Sequence, residues 1–127
     1  MKKILPIFLV ALLLAGCAVP AEELTYRRIS MDKAIAMMEE ESGYIILDVR
    51  TPEEFAERHI PGAINISNET ISTEEISELP NKDQLILVYC RSGNRSKQAS
   101  EKLVALGYTN IVEFGGINDW PGETVTG

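Results

Sequence analysis

The chain has 127 residues, 12 basic against 19 acidic, for a net charge of −7, with one histidine and two cysteines. That length fits one domain, and the acidic balance argues against nucleic acid as a partner, because phosphate backbones need a basic footprint. With His59 as the single histidine, no histidine-based metal cluster can be built.

The N-terminus opens with Lys2 and Lys3 and an apolar run of 11 residues, "ILPIFLVALLL". A bilayer span needs roughly 20 apolar residues, so this run suits a signal peptide better than a membrane helix. It ends in "LAGC", Leu14 to Cys17, which resembles a bacterial lipoprotein signal. The resemblance implies cleavage of residues 1–16, lipidation of Cys17, a tether over 17–24 and a domain over 25–127. The domain would then face outside the cytoplasm in a bacterial cell envelope, with either membrane possible. Cleavage removes sixteen residues and two lysines, so 127 residues become 111 and −7 becomes −9. Such a domain buries roughly two-thirds of its unfolded surface, enough for its own core. Membrane contact would come from acyl chains, and stable anchoring takes more than one chain. An acylated Cys17 leaves Cys90 alone, which excludes a disulfide framework and a cysteine-based zinc site.

Along the domain, "YRRIS" suits a short first strand, and Ser30 fits the N-cap of a helix running to about Glu41. The run "YIILDV", 44–49, reads as a strand. Thr51, Pro52 and Glu54 then form a capping box with proline at the first helical position, opening a helix to about Arg58. "HIPGAINI" contains a turn at Pro61–Gly62 and a short strand over 63–66, and "STEEISEL", 72–79, predicts a short helix closed by Pro80. "QLILVY" has no polar interruption after its first residue and predicts a strand covered on both faces. Ala99, Leu103, Val104 and Leu106 mark a helix ending at Gly107, a suitable C′ residue. "NIVEF" supplies a last strand, and "GGINDWPG" a turn and short helix. Strands alternating with helices of these lengths imply an α/β domain with a mostly parallel sheet.

The stretch "YCRSGNRS" sits between the most strand-like run and a helix. In a parallel sheet, ligands bind beyond the carboxyl ends of the strands, where this loop falls. Successive backbone N–H groups of such a loop, together with the positive end of a helix dipole, form an anion nest that favours a thiolate. Gly93 permits a backbone conformation closed to other residues, and Arg91 and Arg95 offer guanidinium donors to an incoming anion. From these residues alone two readings stand: a reactive thiol in an anion cradle, or a surface turn with a half-buried cysteine. Asp48 and Arg50 read as a hydrogen-bonded pair fixing a turn, and His59 as a structural residue of the "HIPGA" turn rather than a base for Cys90.

"CRSGNRS", with "ILDVRTPEEF", "HIPGAINI" and "GGINDW", resembles a single rhodanese (sulfurtransferase) domain over about residues 25–121. The resemblance implies a three-layer α/β fold with a mostly parallel central sheet flanked by helices. It also implies that Cys90 takes a sulfane sulfur from a small anionic donor such as thiosulfate and holds it as a persulfide. A thiophilic acceptor, cyanide or a thiol such as a protein dithiol, would then receive the sulfur, with no cofactor. The backbone from Arg91 through Ser92, Gly93 and Asn94 to Arg95 would cradle the persulfide, and the two guanidiniums would engage the donor's sulfonate. Phosphatases and arsenate reductases of related fold place five residues between cysteine and arginine. Here Arg95 follows Cys90 after four, which suits a single sulfur better than a tetrahedral phosphate. A non-catalytic rhodanese-like binding module is the other alternative, and Cys90 with its two arginines counts against it.

Overall fold

The computed structural model describes residues 25–127, so the proposed signal segment, Cys17 and the tether lie outside the described residues. Five strands form one parallel sheet: β1 (Arg27–Arg28), β2 (Ile45–Asp48), β3 (Ile64–Asn65), β4 (Ile86–Cys90) and β5 (Ile111–Gly116). Their order across the sheet is β1-β5-β4-β2-β3, which puts β4 at the centre. Three α-helices connect them, α1 (Met31–Glu40), α2 (Pro52–Glu57) and α3 (Asn94–Ala105), with 3-10 turns at Asn68–Thr70 and Ile117–Asp119.

Every residue of β4 is buried, as its unbroken apolar sequence requires. Successive side chains of a strand point to opposite faces. Ile86, Val88 and Cys90 therefore join a core under α3 that includes Ala99, Leu103 and Tyr108. Leu87 and Tyr89 join the opposite core with Ala34 of α1, Ile60, Ala63 and Phe114. These two cores with the sheet between them make the expected three-layer α/β domain. Helix starts follow local chemistry. Ser30 Oγ accepts the Lys33 N–H at 3.1 Å, and Thr51 and Glu54 complete a capping box at the start of α2.

One expected element does not form. The stretch 72–79 contains only bends and turns, not a helix. A single amphipathic helix of that length is marginal, and serine and threonine at 72, 73 and 77 compete for backbone bonds. The segment gains more by burying Ile71 and Leu79 against the α3 side of the sheet while Glu74, Glu75 and Glu78 stay exposed. The turn is fixed by Tyr108, whose hydroxyl donates to the Leu79 carbonyl. The other elements stand within a few residues of their sequence-derived limits. The first strand shrinks to Arg27–Arg28, the strand over 63–66 to Ile64–Asn65, and α2 stops at Glu57 with Arg58 as its C-cap.

At the carboxyl edge of the sheet, Asp48 and Arg50 form a fully buried ion pair, with Arg50 Nη2 2.7 Å from Asp48 Oδ2. The pair binds four segments. The Tyr89 hydroxyl donates to Asp48 Oδ2 at 2.6 Å and accepts the Ile60 N–H at 3.1 Å. Arg50 Nη2 also donates to the Arg58 carbonyl at 2.7 Å, and Asn65 and Ser67 donate to the Arg50 carbonyl, each at 2.9 Å. Burial first, then the bond to Asp48, pushes the Tyr89 phenol above its ordinary range. Asp48 and Arg50 are thus the local pair expected from sequence, with a wider reach. Arg50→Met should leave Asp48 buried without its counter-charge and destabilise the domain by about 3–5 kcal/mol. Urea unfolding of the variant checks this, and a loss under about 1 kcal/mol would contradict the role.

Candidate active site

Cys90 is the last residue of β4, and α3 begins at Asn94, so Arg91, Ser92 and Gly93 make the whole connection. This is the carboxyl edge of the parallel sheet, where the topology predicts a ligand site. Gly93 caps α3 with φ 115°, the left-handed region that favours glycine, and its N–H donates to Cys90 Sγ at 3.0 Å. A backbone donor and the N-terminus of a twelve-residue helix therefore both face the sulfur. Both stabilise negative charge there.

The loop is held from the far side by Gly116. The Arg91 carbonyl accepts the Asn118 N–H at 3.1 Å, and a Cβ built on Gly116 would stand 1.9 Å from the Arg91 carbonyl oxygen. Only glycine fits at that position. The sequence pair Gly115–Gly116 is thus part of the site, a role that its distance along the chain concealed.

Cys90 itself is 1% exposed, so the sulfur lies beneath the loop surface rather than on it. Above it, Arg91 and Ser92 are exposed, Asn94 is exposed, and Arg95 is half-buried. Both expected guanidiniums are present at the loop, but each has a partner that sequence reasoning missed. Arg95 binds Glu54 of α2 in a two-pronged contact, Nη1 to Oε1 at 2.8 Å and Nη2 to Oε2 at 3.1 Å. Arg91 reaches the same carboxylate, Nε to Oε2 at 3.2 Å. Glu54 was legible as the capping-box residue of α2, and its Oε1 does accept the Thr51 N–H at 3.0 Å. Its second role, as counter-charge to a loop 37 to 41 residues later, has no local signal. Two arginines and one glutamate leave the rim with one net positive charge.

Beneath the loop lies a second unforeseen group. Cys90 Sγ is 3.4 Å from Ser96 Oγ, and Ser96 Oγ donates to Glu113 Oε2 at 2.6 Å. Glu113 is 1% exposed, a carboxylate inside the central sheet, and its Oε1 accepts from Arg28 Nε at 3.0 Å. The signal for it was available in "NIVEF", where the glutamate stands between Val112 and Phe114 in an otherwise apolar strand. His59 plays the structural part expected of it: its ring stacks on Phe55 at 3.7 Å, its Nδ1 lies 2.9 Å from the Phe55 carbonyl, and its backbone bridges to Val125.

A parallel α/β domain with a cysteine loop between its central strand and a helix N-terminus defines a class of thiol-centred folds. The profile of the Rhodanese-like domain matches residues 30–123, and the chain belongs to that family. It is similar to thiosulfate sulfurtransferase PspE of Escherichia coli, 38% identical over 73 residues that cover 58% of this chain and 70% of that protein. Thiosulfate sulfurtransferase GlpE of Pseudomonas entomophila is 34% identical over 107 residues, covering 80% and 94%. Among solved structures, a rhodanese with anions from E. coli aligns with TM-score 0.60 and 36% identity, covering 66% of this chain and 99% of that one. A rhodanese-related protein from Thermoplasma volcanium aligns with TM-score 0.66 and 30% identity, covering 80% and 100%.

The Glu54 contacts carry a pH signature. Bonds from Arg95 foremost, then from Thr51 and Arg91, hold Glu54 well below the usual carboxylate range, against the opposing effect of burial. A depressed folded-state value means the unfolded chain binds the proton more readily. The stabilisation is therefore complete above the unfolded value of 4.5 and is lost as pH falls below it toward the folded value. Urea midpoints of wild type and Glu54→Gln should differ by a constant amount above about pH 5.5, and the difference should shrink steadily as pH falls below about 4. A gap that is the same at all pH values would show that the carboxylate charge contributes nothing.

Proposed function

We propose that this chain is a sulfurtransferase that moves a sulfane sulfur from thiosulfate or a similar anion through a Cys90 persulfide to a thiophilic acceptor. Relatives named thiosulfate sulfurtransferases support a sulfurtransferase function. The observation that carries the finer reading is Cys90 Sγ held 3.0 Å from the Gly93 N–H at the start of α3, with Arg91 and Arg95 on the rim above it.

In this reading the Cys90 thiolate attacks the outer sulfur of thiosulfate, a new S–S bond forms, and sulfite leaves with the electron pair of the old one. The depth of Cys90 suits this division. The donor's outer sulfur descends to the thiolate while its sulfonate stays at the level of Arg91 and Arg95. The persulfide carries negative charge, which the Gly93 N–H and the α3 dipole stabilise as they do the thiolate. The acceptor, cyanide in an assay or a thiol in the cell, removes the outer sulfur and returns Cys90 to its starting form. Arg95 shares its charge with Glu54, so the rim attracts an anion without holding it as an unpaired guanidinium pair would. That suits a donor that must leave as sulfite after each turnover.

Intact-mass measurement of the full chain after exposure to thiosulfate should show the gain of one sulfur, lost on addition of cyanide as thiocyanate forms. Cys90→Ser should fold and be inert. No mass gain on a chain with a free Cys90 thiol would point to a binding module. Arg95→Ala removes a charge-assisted contact worth about 1.5–3 kcal/mol, and kcat/KM for thiosulfate should fall roughly 10- to 150-fold. Undiminished kcat/KM would remove Arg95 from donor handling.

We also propose a lipid anchor at Cys17, on the strength of the basic start, the short apolar run and "LAGC" in register. Metabolic labelling with a tagged fatty acid should mark the wild type and not Cys17→Ala. Equal labelling of both refutes the anchor.

A further inference from the structure

The line from Cys90 to Ser96 to Glu113 has one hydroxyl proton between two groups that can each take it. Ser96 Oγ donates to Glu113 Oε2 at 2.6 Å, with the Gly115 carbonyl a longer alternative at 3.4 Å. The same oxygen lies 3.4 Å from Cys90 Sγ and is placed to accept from the thiol. All three residues are essentially excluded from solvent, at 1%, 0% and 1% exposure. A thiolate and an ionised Glu113 cannot both be served by Ser96, because a serine has one O–H to give. Forming both anions on this buried line would also set like charges close together.

From this geometry we infer that Glu113 is a positioning residue that accepts the Cys90 proton through Ser96. It rests on the reading of Cys90 as the nucleophile and adds where its proton goes. As Cys90 gives its S–H proton to Ser96 Oγ, Ser96 gives its own proton to Glu113 Oε2. The electron pair of the S–H bond stays on Sγ as the thiolate, and the Ser96 hydroxyl now donates to it. Thiolate attack on the outer sulfur of thiosulfate then releases sulfite, and the persulfide is left as an anion. The proton stays on Glu113 through the sulfur-loaded stage. It returns along the same line when the acceptor takes the sulfur and Cys90 is again a thiolate. No proton is consumed or released over the cycle, which matches transfer of neutral sulfur from one anion to another.

The groups around Glu113 fit this use. Oε1 pairs with Arg28 of β1, and Oε2 also accepts the Gly115 N–H at 2.9 Å, so the carboxylate is held in place whichever form it takes. The Arg28 side chain is 60% exposed, so solvent weakens its pairing with Glu113. Tyr26, its pKa raised chiefly by burial and then by Glu101 and Glu113, and Glu101 itself are further titratable groups near this edge. On the loop side Arg95 has its pKa raised chiefly by the bond to Glu54, with Cys90 a lesser contributor.

Two coupled sites that hold one proton between them exchange it without release to water. The thiolate fraction is then independent of pH across the interval in which the pair carries that proton. Alkylation of Cys90 by iodoacetamide, read on its peptide in the full chain, should therefore level off at low pH. Between about pH 6.5 and pH 5 the wild-type rate should change by less than about threefold. Ser96→Ala breaks the line, and Glu113→Gln removes the acceptor. Both should lose the plateau and fall about thirtyfold over the same interval, tenfold per pH unit. A wild-type rate that falls as steeply as that of Ser96→Ala, or a plateau that persists in either variant, overturns the relay. Should Glu113→Gln fail to fold by circular dichroism, Ser96→Ala decides alone, since it deletes a single oxygen. Alkylation needs no sulfur donor. A plateau in a chain that gains no mass from thiosulfate would thus keep the relay and overturn the transfer function, whereas mass gain without a plateau would do the reverse.

Discussion

The buried ion pair between Asp48 and Arg50 is the constraint on which the rest of this structure depends. Two charges out of water are costly unless their remaining bonding capacity is filled. Here it is: Asp48 accepts from Arg50 and Tyr89, and Arg50 reaches on to the Arg58 carbonyl. Filling those bonds draws the end of β2, the end of β4 and the segments 58–60 and 65–67 to one point. Tyr89, one residue before Cys90, is fixed by both its ring and its hydroxyl. Cys90 therefore leaves the sheet from a strand end restrained by these contacts, and the loop that follows needs few further restraints. Gly116 supplies one of them, by letting the Arg91 carbonyl come within contact of its backbone.

Around the sulfur, charge is divided between an outer and an inner layer. The outer layer is Arg91, Arg95 and Glu54, arranged so that α2 and the cysteine loop share one carboxylate. The inner layer is Ser96, Glu113 and Arg28, which join α3, β5 and β1. Each has one acid, but their surroundings differ. Glu54 is partly exposed and answers to two cations, so it behaves as a structural counter-charge. Glu113 is buried beside a hydroxyl that touches the Cys90 sulfur, the position the proposed relay requires of an acid. An apolar residue would fill the same space in β5 without any desolvation cost.

How much of this was readable depended on distance along the chain. The strands, the α2 capping box and the Cys90 loop are local, and each is spelled out in fewer than about ten consecutive residues. Their order along the chain carried the family resemblance. The stretch 72–79 misled because its acidic pattern fits a helix locally, while burial of Ile71 and Leu79 rewards a different path. That reward is tertiary and leaves no periodic trace. Glu54 with Arg95, Ser96 with Glu113 and Gly116 with Arg91 join residues that only the sheet brings together. Of these, Glu113 had a trace, a charge placed inward in a strand where every neighbour is apolar.

That trace also explains why the site tolerates a buried cysteine. A thiol at 1% exposure would ordinarily be an inert part of the core. Three features set Cys90 apart from a core residue: a backbone N–H aimed at the sulfur, a helix start behind it and a hydroxyl connected to an acid beneath it. The first two favour negative charge on sulfur, so in the proposed transfer they would serve the thiolate and the persulfide alike. In the proposed relay the third separates thiol from thiolate, because the hydroxyl is committed to Glu113 when the sulfur is protonated and turns to the sulfur when it is not. Under the proposed function burial would then work in favour of the chemistry, since with water excluded each of these contacts acts at low dielectric and Cys90 would be kept from solvent oxidants between turnovers.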